Sequence, residues 1–170
     1  MVEALAKGDS VSFTHIHLLL NHFPVIGTAL GIALLAIALV RKSSELAKVS
    51  LGLFAALAAI SVVVYFTGEP AEGAIEKLPG FSESITERHE EFALIATIVI
   101  ALFGALALSA LAVFRKKLLP RWVTLSGLAL ALASGGVMGY TAMTGGQVRH
   151  TEVRGGPALS LPENNRSENP

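Results

Sequence analysis

Hydrophobic residues run along the chain in four long blocks, and charge is confined to the gaps between them. Residues 13–40, 49–68, 92–114 and 122–148 contain no Asp, Glu, Lys or Arg. A helix needs about 20 apolar residues to cross a hydrocarbon layer about 30 Å thick, and every block meets that length. In lipid each backbone N–H and C=O must find its partner within the protein. Four spans joined by short connections therefore predict an all-α, integral-membrane, up-down-up-down four-helix bundle over residues 13–150. Residues 1–12 form a segment ahead of it and residues 151–170 a tail behind it. The first block lacks a basic leader and a small-x-small cleavage site and is too long for a removable signal, so it reads as a span.

The gaps differ in sign, and that predicts orientation. The first holds Arg41, Lys42 and Lys48 against Glu45, and the third holds Arg115, Lys116, Lys117 and Arg121 with no acid. The second, residues 69–91, holds Glu69, Glu72, Glu76, Glu83, Glu87, Glu90 and Glu91 against Lys77 and Arg88. Basic connections stay in the cytoplasm. Both termini and the acidic loop are then expected outside the cell, with the bundle in a bacterial inner membrane. Ser43 and Ser44 are placed to cap the second helix and Pro120 to open the fourth. Gly68 with Pro70, and the pair Gly145-Gly146, read as helix stops. Pro79-Gly80 divides the acidic loop, its second part running helically into the third span. From Gly155 onward the chain is too poor in apolar residues to pack and reads as disordered; the sequon Asn165-Arg166-Ser167 there reads as a chance match.

Composition agrees and narrows the chemistry. Of 170 residues, 52% are hydrophobic and 15% charged, against about a quarter charged in soluble domains. Thirteen basic residues balance thirteen acids, which leaves no excess to hold nucleic acid. Without cysteine there is no disulfide, thiolate metal site or iron–sulfur cluster. No Gly-x-Ser-x-Gly elbow, His-Glu-x-x-His or phosphate loop occurs, so a conventional hydrolase is not expected.

All five histidines, His15, His17, His22, His89 and His150, fall at the expected outer end. Counting about 1.5 Å per residue from the basic ends puts His22 near 28 Å and His15, His17 and His89 at roughly 36–39 Å. Glu69 and Glu72 come to similar levels. His15 and His22, seven residues apart, share a helical face, and His17 points away from it. His15 and His17 read equally as headgroup anchors, His150 as a solvated loop residue, and the acids as a solvated face. His22, inside an uncharged block beside Asn21 and ahead of Pro24, is the residue most in need of a partner. A weak internal repeat supports a paired site. Asn21-His22-Phe23 and Arg88-His89-Glu90 open the first and third helices, and Tyr65-Phe66-Thr67-Gly68 and Tyr140 with Thr144-Gly145 close the second and fourth. Gly27 with Gly31, and Gly135, Gly136 and Gly139, would allow close helix approach or make room for a flat cofactor.

The segments from His15-Ile16-His17 through Asn21-His22-Phe23-Pro24, then Thr67-Gly68-Glu69-Pro70-Ala71-Glu72 and Arg88-His89-Glu90, resemble a family of small four-helix bacterial membrane proteins known as a domain of unknown function. The resemblance implies a four-span membrane protein whose histidines bind haem or metal.

Two site chemistries follow. Haem b needs two histidines at one height on diagonal helices; height pairs His15 or His17 with His89, whereas the repeat pairs His22 with His89. A divalent metal ion would take His22, His89, Glu69 and Glu72, with His150 as a further candidate. Either suggests redox or electron-transfer work with a partner protein at the outer surface. The alternative is a structural or assembly subunit of a larger membrane complex, without cofactor. A transporter ranks third, since no mid-membrane charge marks a substrate path unless a homo-oligomer supplies one.

Overall fold

The computed structural model describes residues 13–154, all of them helical or in turns, with no strand among them. The first hydrophobic block forms α1 (Phe13–Leu20) and α2 (His22–Arg41). They are divided at Asn21 because Pro24 has no N–H to return to the Leu20 carbonyl and its ring crowds that carbonyl. The remaining elements are α3 (Ser44–Phe66), α4 (Gly68–Gly73), α5 (Glu83–Val113) and α6 (Arg121–Arg149). Counting α1 and α2 as one continuous rod, four helices are long and apolar enough to cross a membrane. Only 28–33% of each apolar window is buried inside the bundle. The rest, including Phe23, Ile26, Leu30, Leu102, Leu106 and Leu132, faces outward. That surface would drive aggregation in water and matches acyl chains in lipid.

Helix α2 packs on α3 and α6, and α5 packs on α3 and α6, so α2 and α5 stand diagonally across a square bundle. At the basic end the α2–α3 turn is tight: Lys42 takes a left-handed conformation (φ 51°) and its N–H returns to Ala38 and Leu39. Ser43 caps α3 as expected, its hydroxyl accepting from Leu46 N at 3.2 Å. Ser44 Oγ accepts from Leu119 N at 2.7 Å, which ties the two basic connections together. Pro120 stands immediately before α6 in extended geometry.

The core nearer this end is apolar and close-packed. Leu35, Leu51, Phe54 and Ile100 are fully buried, and the Phe54 and Phe103 rings meet with centroids 4.5 Å apart. Gly31 admits Phe54 because a Cβ there would stand 2.6 Å from the ring. The Gly31 carbonyl accepts from Ser50 Oγ at 2.8 Å.

Two boundaries differ from expectation. Gly145-Gly146 does not end α6, which continues to Arg149. Past it, Arg154 does the terminating: its guanidinium donates to Gln147 O (2.6 Å) and Val148 O (2.7 Å), carbonyls left without helical partners, and to Gly80 O (2.8 Å) in the acidic loop. Residues 151–154, expected in the tail, thus form a short 3-10 turn anchored to the bundle. The readings made for residues 1–12 and for the rest of the tail, Asn165 included, lie outside the described residues.

Candidate paired-histidine site

The end of the bundle opposite the basic loops gathers two imidazoles in near-identical settings. His17 projects from α1 against the end of α3. Its Nδ1 lies 3.0 Å from Val64 O and 3.4 Å from Thr67 Oγ1. His89 projects from α5 against the end of α6, its Nδ1 3.1 Å from Thr141 O and 3.3 Å from Thr144 Oγ1. A carbonyl can only accept, so each Nδ1 carries its hydrogen. Both threonine hydroxyls donate backward along their own helices, Thr67 to Val63 O and Val64 O and Thr144 to Thr141 O. Each therefore offers a lone pair to the same imidazole N–H. In the neutral form of either ring the tautomer is therefore fixed, with Nε2 holding the free lone pair. A hydrogen bond from the far nitrogen to a carbonyl is how proteins orient a ligating histidine and raise its basicity.

The two settings match in register as well as in chemistry. His17 lies 24 residues before Arg41, and His89 lies 24 before Val113, so each ring sits about 36 Å from the basic end of its span. Thr67 and Thr144 each come 23 residues after the first residue of α3 and α6. In both halves the accepting carbonyl lies three residues before the threonine, and a glycine follows the threonine against the ring. A Cβ at Gly68 would be 3.7 Å from His17 Cε1, an ordinary contact, whereas one at Gly145 would be 2.8 Å from His89 Cε1. The imidazoles stand on the diagonal pair of spans.

The internal repeat is therefore sharper than its sequence trace, with one reassignment: the counterpart of His89 is His17. His22 is exposed, as is His15, on the helical face opposite His17. The five-residue slip between His17 and His22 is what the short motif could not resolve, because the Pro24 break obscures where the first helix begins. The sequence reading also missed Val64 and Thr141, whose roles are carried by backbone carbonyls. The only trace open to it was the hydroxyl three residues ahead of the second Thr-Gly.

The acids do not join the histidines. Among the described residues no group of three or more His, Asp or Glu is placed to hold a metal ion. Glu69 is exposed. Glu72, half-buried on α4, shares a hydrogen bond with Glu90. That bond, partial burial and the Glu90 charge together raise the Glu72 carboxyl from its ordinary 4.5 to about 7. His150 is exposed and pairs with Glu152, Nδ1 to Oε1 at 2.9 Å. Neither Glu69 nor His150 shares a hydrogen bond with the paired rings.

No protein-family model, curated protein or solved structure matches this chain.

Proposed function

We propose that His17 and His89 are a bis-imidazole site for haem b at the extracytoplasmic end of a four-span membrane protein, serving one-electron transfer. The observation that carries this reading is the doubled N–H···O=C anchor, which leaves two Nε2 lone pairs at one height on diagonal helices. Haem iron asks the protein for axial ligands alone, and two imidazoles supply them. A divalent metal ion on the same pair is the weaker reading, because tetrahedral sites take three or four protein ligands and no acid is gathered here. Bound haem would supply the redox couple. The chain's own residues would hold the axial rings, fix their tautomer and keep lipid from the faces. The basic connections, Arg41 to Lys48 and Arg115 to Arg121, support a cytoplasmic location for that end of the bundle. The seven glutamates of residues 69–91 would then face a basic electron-carrier protein outside.

A structural subunit without cofactor is the second reading, favoured by the same hydrogen bonds seen as ties between α1 and α3 and between α5 and α6. A visible spectrum of the detergent-purified protein, with metal analysis, separates the two. The expected result is a Soret band that shifts with dithionite, is lost in His17→Ala and in His89→Ala, and persists in His22→Ala. A flat spectrum from haem-supplemented cells, with no bound metal, overturns the cofactor reading and leaves the structural one.

A further inference from the structure

The half of the core beneath the histidines is built differently from the half near the basic loops. Thr28, Ser61 and Ser134 are 1%, 4% and 2% exposed, and none of their hydroxyls has a hydrogen-bond partner among the described residues. Four of the other buried hydroxyls do not share that fate. Thr67, Thr141 and Thr144 all donate to carbonyls of their own helices, and Ser50 donates to Gly31. The Asn21 side-chain oxygen, on the stripe of α1–α2 that also carries His17 and Thr28, is buried and unpartnered as well.

Their levels agree. Thr28 and Ser134 each lie 13 residues from the basic-end residue of their helix, Arg41 and Arg121, or about 20 Å along it. Ser61 is 17 residues from Ser44, about 26 Å. Phe54 and Phe103, each ten residues from the basic end of its helix, close the layer below at about 15 Å. Gly27 and Gly135, next to Thr28 and Ser134, leave room for Leu57 and Ile32, and buried Leu57 and Ile100 stand at the same level as these two hydroxyls. The Thr28 methyl is 3.6 Å from where a Gly135 Cβ would stand, so that face of the threonine is taken by α6 and its hydroxyl is directed elsewhere in the interior. An unpaired hydroxyl in a water-free interior costs about 1–3 kcal/mol, and three in one half of a small bundle are costly together.

We infer that Thr28, Ser61 and Ser134 bind internal water in a polar layer between the histidines and the Phe54–Phe103 plug. Asn21 continues the layer toward the histidine end. An ordered water uses two to four polar partners and satisfies otherwise orphaned groups, and these buried hydroxyls are orphaned. The layer holds whatever the imidazoles bind, because none of its groups touches them.

Solid-state NMR of the wild-type protein in bilayers tests it directly, by magnetisation transfer from water to backbone amides. The expected result is transfer at residues 28, 61 and 134 and none at Leu35, Leu51 and Ala107. Absence of transfer at all six overturns the inference. Thr28→Val, Ser61→Ala and Ser134→Ala give a second readout in detergent. If the hydroxyls hold water, each single change lowers the melting midpoint by about 2–4 °C and the triple change lowers it by less than the sum. If each change raises the midpoint, and additively, the hydroxyls are unsatisfied and the inference fails.

Discussion

Adding one methyl group at Gly145 tests whether the helix α6 backbone sets the position of the His89 ring. The new Cβ would stand 2.8 Å from His89 Cε1, whereas carbon atoms rest at about 3.5–4.0 Å. The ring must therefore withdraw by roughly 0.7–1.2 Å. Its Nδ1 now lies 3.1 Å from Thr141 O and 3.3 Å from Thr144 Oγ1. A shift of that size stretches both contacts beyond hydrogen-bonding range and strands a part-buried donor at a cost of about 1–3 kcal/mol. Alanine returns up to about 1 kcal/mol through its better helix propensity, so the net destabilisation of Gly145→Ala is about 1–2 kcal/mol. Gly68→Ala is the matched control, since its Cβ would meet His17 at an ordinary 3.7 Å, and no loss is expected there. Thermal unfolding followed by circular dichroism should show Gly145→Ala melting about 3–8 °C lower and Gly68→Ala unchanged. Equal midpoints for the two variants would refute the claim that α6 holds this ring by contact.

Other outcomes follow from features elsewhere at this end. Glu72 binds its proton more tightly in the folded chain, with a value of about 7 against an ordinary 4.5, so its contribution to stability falls as pH rises through that interval. Glu72→Gln should remove that fall, worth about 1 kcal/mol or less for a pair partly in water; midpoints measured from pH 4 to pH 8 check this. Arg154→Ala loses three donors to Gln147, Val148 and Gly80 carbonyls. Amide exchange should quicken around residues 146–154 and 78–82, with the bundle amides of α3 and α5 unaffected.

The four spans and their connections were legible because the bilayer imposes a coarse rule that charge placement alone reveals. Caps obeyed local chemistry, as at Ser43. The glycine pair at 145–146 misled for a physical reason: in a packed membrane helix glycine serves close approach, here of the His89 ring, more than termination. The site was half legible. Histidine heights pointed to the His17 level and the repeat pointed to His22; that His17 shares the hydrogen-bonded setting of His89 depends on how α1 lies against α3. Backbone carbonyls cannot announce themselves in a sequence. Nor can the Glu72–Glu90 contact, which depends on how α4 folds back across the bundle.

The tie between Ser44 and Leu119 N joins the turn after the first hairpin's descent to the approach of the second hairpin's return. Since each half of the molecule has the same polarity, the operation relating the halves is a rotation about the membrane normal. In a bilayer, both rings would share one depth and one fraction of the transmembrane voltage. Chemistry at the proposed site would then be addressed from the side that carries the glutamate-rich loop.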